Sequence, residues 1–78
     1  MTAKEMFEEL GYKKCINAAN LIEYIDDLGK TIRFDKCYRS IEKFVTTNDY
    51  DDCHYTYGYL SLRELKAINK QVEELEWN

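Results

Sequence analysis

The chain has no proline, three glycines and one histidine among its 78 residues. This composition excludes a long flexible linker, so we expect residues 1–78 to form a single domain. A chain of this length buries only about 60% of its unfolded surface, which leaves little room for a deep catalytic pocket. It also lacks both an apolar run of the roughly 20 residues that span a membrane and a hydrophobic signal-peptide core. We therefore expect a cytoplasmic protein with no membrane partner.

The residues that are present have the balance of a globular protein. Hydrophobic residues make up 45% and charged residues 33%, which is not typical of disorder. The net charge of −4 at pH 7 differs from the strongly basic footprint of nucleic-acid-binding proteins. Basic residues do recur in the middle of the chain, and strand alternation would place several on the open face of a sheet. They are Lys30, Arg33, Lys36, Arg39 and Lys43.

A helix is predicted at the start of the chain, over residues 3–10. Thr2 and Glu5 have the spacing of a capping box, in which each side chain accepts a hydrogen bond from the other residue's backbone N–H. Gly11 can adopt the left-handed conformation that ends a helix, and Tyr12 can make the hydrophobic contact that often follows.

A second helix is predicted near the end of the chain, over residues 62–76. Ser61 and Glu64 form another capping box before it. Apolar residues recur at spacings of three and four, which predicts one stripe packed against the rest of the domain. The stripe comprises Leu62, Leu65, Ile68, Val72 and Leu75.

The middle of the chain predicts strands separated by short turns. The predicted strands are residues 21–25, 31–35 and 38–46, with a weaker fourth at 55–59. Residues 48–52 are polar and are predicted to form a loop. Short connections favour antiparallel hairpins. The predicted fold class is therefore α+β: a three- or four-stranded antiparallel meander with the N-terminal and C-terminal helices packed on one face, in the order α-β-β-β-(β)-α.

The residues with metal-binding or nucleophilic chemistry do not form a recognisable motif. Cys15, Cys37 and Cys53 have no Cys-x₂₋₄-Cys spacing, and whether they converge with His54 is left open by the sequence. A calcium loop counted from Asp49 would place His54 where glycine is required. The sequence predicts no metal, no cofactor and no enzymatic activity.

Tyrosine is unusually frequent, with seven residues in the chain. Several lie close together near residue 55, where they indicate either strand propensity and edge packing or a protein-binding patch. Stacking on single-stranded nucleic acid is a third interpretation, which the neighbouring aspartates disfavour because they repel phosphate. The candidate partner-binding residues are Tyr55, Tyr57, Tyr59 and Trp77.

Both ends of the chain resemble small uncharacterised proteins carried by phages and mobile elements of Gram-positive bacteria. Residues 2–12, TAKEMFEELGY, are similar to the opening of those proteins, and residues 62–77, LRELKAINKQVEELEW, are similar to their C-terminal helix. In those proteins glycine often precedes the final tryptophan. Glu76 holds that position here, which predicts that the helix continues to Trp77. The resemblance implies an α+β domain encoded by a phage or mobile element, and it implies no active-site residues.

Together these features predict a small non-enzymatic protein-interaction module of phage or mobile-element type. The expected partner is a protein, and a homodimer is compatible with this hypothesis. The alternative is a nucleic-acid-associated module that uses the basic hairpins, or an acidic inhibitor of a host nucleic-acid enzyme.

Overall fold

The structure is a computed structural model that describes the backbone of residues 1–49, 52–56 and 59–77 and the side chains of residues 1–45 and 59–77. Its elements in chain order are α1 (Ala3–Glu9), β1 (Lys13–Asn17), β2 (Leu21–Ile25), β3 (Lys30–Asp35), β4 (Ser40–Asp49), β5 (Asp52–Thr56) and α2 (Leu62–Glu74). Within these residues, five strands form one antiparallel sheet in the order β1-β2-β3-β4-β5. The predicted α+β meander with a helix at each end is confirmed. Neither described helix is long and apolar enough to cross a membrane.

The core lies between the two helices and one face of the sheet. The ring of Phe7 in α1 stacks on that of Tyr24 in β2, with centroids 4.0 Å apart. Tyr24 pairs with Ile32 across the β2–β3 ladder, so their side chains share a face of the sheet. Burying side chains of this size contributes about 1.5–3 kcal/mol each. The core cluster is Phe7, Tyr12, Ile22, Tyr24, Ile32, Phe34, Ala67 and Ile68.

Strand β1 is an edge strand that the sequence does not predict. Lys14 pairs with Tyr24 and Ile16 pairs with Glu23, so Cys15 is the extra residue of a β-bulge. A bulge interrupts the alternation of side chains between the two faces. For this reason the apolar and polar residues of β1 show no period of two.

The hairpin of β4 and β5 differs from the prediction at both ends. Strand β4 begins at Ser40 because the carboxylate of Asp35 accepts hydrogen bonds from the backbone N–H groups of Cys37 and Tyr38, which closes a turn. At the other end, residues predicted to be a loop belong to the strands, since Asp49 pairs with Asp52.

The fourth predicted strand, at 55–59, is displaced in the structure. Strand β5 spans Asp52–Thr56 and Tyr59 lies outside it. Residues 57 and 58 lie outside the described part of the chain.

Helix α1 ends in a Schellman motif. The N–H of Tyr12 donates to the carbonyl of Phe7 (3.0 Å) and that of Gly11 donates to Glu8 (3.1 Å). Gly11 has φ +92°, the left-handed conformation predicted for it. The ring of Tyr12 meets that of Phe7 edge to face at 5.7 Å, which is the predicted hydrophobic contact.

Helix α2 ends in the same motif without a glycine. The N–H of Trp77 donates to the carbonyl of Val72 (3.2 Å) and that of Glu76 donates to Glu73 (3.0 Å). Glu76 has φ +58°, so the helix ends at Glu74 and does not continue to Trp77 as predicted. An L-residue with a side chain is strained in this conformation by about 1–2 kcal/mol.

Replacing Glu76 with glycine is expected to stabilise the protein. The variant removes the strain of the left-handed conformation, and we expect the free energy of unfolding to rise by about 1 kcal/mol. Urea unfolding followed by circular dichroism measures the change.

The matched control is Glu73→Gly, which makes the same replacement inside α2. Glycine in a helix interior is expected to lower the free energy of unfolding by about 1 kcal/mol. Destabilisation by Glu76→Gly as well would contradict the proposed strain.

Candidate functional site

Helix α2 does not turn its whole apolar stripe toward the core. The residues that it buries are Glu64, Ala67, Ile68 and Gln71. By contrast, Leu62 is 67% exposed and Leu65 is 43% exposed. Val72 and Leu75 do pack against the core, so the predicted stripe is correct for the C-terminal half of the helix and wrong for its first turn.

Two buried tyrosine hydroxyls account for this orientation. The hydroxyl of Tyr24 donates to Oε1 of Gln71 (2.5 Å), and the hydroxyl of Tyr12 donates to Oε2 of Glu64 (2.5 Å). A buried hydroxyl without a partner costs about 1–3 kcal/mol. Glu64 and Gln71 are seven residues apart and lie on one face of the helix. Turning this face inward satisfies both hydroxyls and turns Leu62 outward.

The carboxylate of Glu64 joins three segments of the chain. Its Oε1 accepts hydrogen bonds from the backbone N–H of Ser61 (2.8 Å) and from Nζ of Lys43 (3.1 Å), while Oε2 accepts from Tyr12. The Lys43 and Glu64 side chains are only 10% and 11% exposed, so this ion pair is largely buried. Nζ of Lys43 also donates to the backbone carbonyl of Tyr59. The segment before α2 is thus held to β4.

These contacts determine the protonation states of Glu64 and Tyr12. Burial alone would raise the pKa of Glu64, but the backbone N–H of Ser61, the hydroxyl of Tyr12 and the ammonium of Lys43 outweigh it and lower the pKa to about 2. Burial, and then the hydrogen bond to Glu64, raises the pKa of the Tyr12 hydroxyl. At neutral pH the carboxylate is charged and the phenol is neutral. These states suit a structural contact and do not suit proton transfer near pH 7.

The exposed side chains around the start of α2 form a surface that we call the Leu62 surface. It consists of Tyr59, Leu60, Leu62 and Leu65, whose exposed fractions are 97%, 49%, 67% and 43%. Leu62 and Leu65 are neighbours one helical turn apart, and Tyr59 and Leu60 directly precede the helix. The capping box and the bond from Lys43 to Tyr59 hold this surface in place.

Of the four candidate partner-binding residues, only Tyr59 and Trp77 have described side chains, and these two lie at opposite ends of α2. Tyr59 lies before the first turn of α2, whereas Trp77 follows its last turn, about 20 Å along a helix of 13 residues. Trp77 is half-buried, with its ring centroid 6.4 Å from that of Phe34. Tyr55 pairs with Thr46 in the β4–β5 ladder, and its side chain is not among those described. Tyr57 lies outside the described residues.

Two of the five basic residues in the middle of the chain lie on opposite faces of the sheet. Arg33 contacts Glu23 (3.0 Å) and Glu42 (3.7 Å) on the face opposite the helices. Lys43 points to the helix side, where it meets Glu64. Two of the five basic side chains are therefore paired with carboxylates on opposite faces, which weakens the case for a phosphate-binding surface.

No catalytic constellation is found among the described side chains. No group of three or more His, Cys, Asp or Glu residues in this part of the chain could hold a metal ion. The Cys15 thiol donates to the carbonyl of Glu23 (3.5 Å), and burial, then the charge of Glu23, raises its pKa, which disfavours a reactive thiolate. Cys37 is exposed. The side chains of Cys53 and His54 are not described, so the question that the sequence left open, whether the cysteines converge with His54, is not addressed by the structure.

Two surface depressions lie among the described residues, and no hydrogen bond joins a thiol or hydroxyl to a carboxylate within the lining of either. One, of about 310 Å³, is bordered by Arg33 and Asp35, whose charged groups contact Glu23 and the Cys37 backbone N–H. The other, of about 340 Å³, lies beside Gly11.

No family model, curated protein or solved structure matches this chain. The resemblance of its ends to phage and mobile-element proteins stays a prediction.

Acid is expected to weaken the fold through Glu64. Because its folded-state pKa of about 2 lies below the usual 4.5, the stabilisation is fully present above about pH 4.5 and is lost as the pH falls toward 2. At about 1.4 kcal/mol per pKa unit, the loss is up to about 3 kcal/mol. Urea unfolding of the wild type and Glu64→Gln between pH 2 and 7 measures it. If the free energy of unfolding fell equally with pH in the two proteins, this role of Glu64 would be contradicted.

The side chains of Tyr24 and Gln71 are expected to be energetically coupled through their hydrogen bond. Tyr24→Phe leaves the Gln71 amide unsatisfied and Gln71→Leu leaves the hydroxyl unsatisfied, so each should cost about 1–3 kcal/mol. The double variant removes both polar groups and should cost much less than the sum. Unfolding free energies of the four proteins complete the cycle. Additive losses would show that this contact does not orient α2.

Proposed function

We propose that this chain is a small non-enzymatic protein-interaction module that binds its partner through the Leu62 surface. The observation that carries the proposal is the exposure of Leu62 and Leu65 on a helix that buries glutamate and glutamine instead. Helix propensity alone does not require leucine at exposed positions, and exposed leucines lower solubility. Removal of these side chains from water by a partner provides a physical reason for them.

The arrangement of the exposed apolar residues supports this surface over other parts of the chain. Elsewhere among the described side chains, large exposed apolar residues such as Met1, Leu28 and Tyr38 lie on separate elements, and single exposed residues are ordinary. The Leu62 surface instead joins four such residues within one segment. The Glu64–Lys43 contact below it holds the segment in one conformation, which reduces the entropy lost on binding.

The electrostatics support a protein partner over a nucleic acid. Arg33 and Lys43 are engaged with carboxylates on opposite faces of the sheet. A protein with an apolar contact surface fits the exposed leucines better than a phosphate backbone does. We place this function in the cytoplasm of a bacterium, in a phage or mobile-element setting, on the basis of the resemblance at the two ends of the chain.

Site-specific photo-crosslinking tests the proposal. A benzophenone amino acid replaces Leu62, and the protein is irradiated in a nuclease-treated lysate of the source organism. We expect a discrete protein adduct that unlabelled wild-type protein competes away, because a specific surface has a limited number of sites. Gel electrophoresis and mass spectrometry identify the adduct and the segment that is cross-linked.

The matched control places the same amino acid at Leu28, in the turn between β2 and β3. Leu28 is 74% exposed, close to the 67% of Leu62, but it is not part of the Leu62 surface. The same adducts from both positions, or none from Leu62, would refute binding at this surface.

A further inference from the structure

The Leu62 surface is flanked by positive charge. Arg63 and Lys66 are both exposed, and neither forms an ion pair with another residue in the part of the chain that the structure describes. The nearest carboxylate in the helix, Glu64, is buried and paired with Lys43. The first two turns of α2 therefore present two leucines beside two cations that have no carboxylate partner among the described side chains.

The outward face of α2 has the spacing of a helix-packing surface. Leu62, Leu65, Lys66 and Asn69 stand at positions i, i+3, i+4 and i+7, which lie on one side of a helix. A second helix laid along this face can place apolar residues against the two leucines. Its flanking residues would then lie beside Arg63 and Lys66.

We infer that the partner segment is an acidic amphipathic helix, a conclusion that rests on the proposed function and specifies the chemistry of its partner. The apolar side chains of that helix cover Leu62 and Leu65, and its flanking carboxylates pair with Arg63 and Lys66. Complementary charge of this kind raises the association rate and excludes basic competitors.

A second copy of this chain fits the same face less well. A symmetric contact through Leu62 and Leu65 would bring the Arg63 and Lys66 of one copy next to those of the other. Like charges placed opposite each other in an interface are unfavourable. The charge pattern thus favours a different chain that carries acidic residues.

Three synthetic peptides provide the probe. They share one helical leucine pattern and differ in their flanking residues, which are all glutamate, all lysine or all glutamine. Fluorescence anisotropy with the full chain measures each dissociation constant at low and at moderate salt. We expect the glutamate peptide to bind at least about tenfold more tightly than the lysine peptide, with a smaller difference at higher salt.

Two pairs of variants locate the interaction. Arg63→Glu combined with Lys66→Glu is expected to reverse the order of the peptide affinities, so that the lysine peptide binds most tightly. Leu62→Ser combined with Leu65→Ser is expected to weaken the binding of all three peptides. The matched control, Lys4→Glu combined with Arg39→Glu, makes the same change in net charge at exposed positions on α1 and the β3–β4 turn. This control variant is expected to leave the order of the peptide affinities unchanged. Circular dichroism checks that each variant is folded.

Several outcomes would overturn the inference. They are equal or tighter binding of the lysine peptide, no binding of the glutamate peptide, or an unchanged preference after the reversal of Arg63 and Lys66. A wild-type dimer in sedimentation equilibrium that Leu62→Ser dissociates would identify a second copy as the occupant. If Leu62 cross-links to a basic or uncharged segment of a partner, the interaction function stands and the acidic-helix inference fails.

Discussion

The carboxylate of Glu64 accepts hydrogen bonds from the turn after α1, from β4 and from the residue that caps α2. Removing one partner of a buried charge leaves the other uncompensated, so these segments depend on one another. Tyr12 fixes the end of α1 and Lys43 fixes the central part of β4, while Ser61 fixes the start of α2. The way in which the two helices lie on the sheet follows from this contact.

The same contact explains why the candidate surface exists. Glu64 and Gln71 lie toward the core because the hydroxyls of Tyr12 and Tyr24 need acceptors there. A helix has one inward face, so two positions given to polar acceptors are not available to leucine. Leu62 and Leu65 consequently face solvent. The orientation of α2 therefore has two consequences. It places a polar contact beneath the helix and an apolar surface on its outside.

Much of the fold can be predicted from local sequence. The capping boxes and Gly11 act within a few residues. The apolar-rich strand β2 and the alternating strand β3 are also correctly predicted. Strand β1 could not be predicted because the bulge at Cys15 breaks its alternation. The sequence indicates Tyr59 as a candidate partner-binding residue, but the apolar stripe of α2 predicts that Leu62 and Leu65 pack against the core. Their exposure depends on hydroxyl acceptors that lie 47 and 52 residues from their donors along the chain.

The sequence by itself determined where the helices begin, the antiparallel pairing of the predicted strands and the α+β class, because capping, alternation and short turns are local interactions. The tertiary structure decided that α2 ends at Glu74, that Lys43 is buried and that Leu62 and Leu65 face outward. The burial of Lys43 and the outward face of the leucines depend on contacts between distant segments, and the end of α2 lies beside the packing of Trp77 on Phe34. Periodicity shows which residues of a helix are apolar, whereas the buried partners of its polar residues determine which face turns inward.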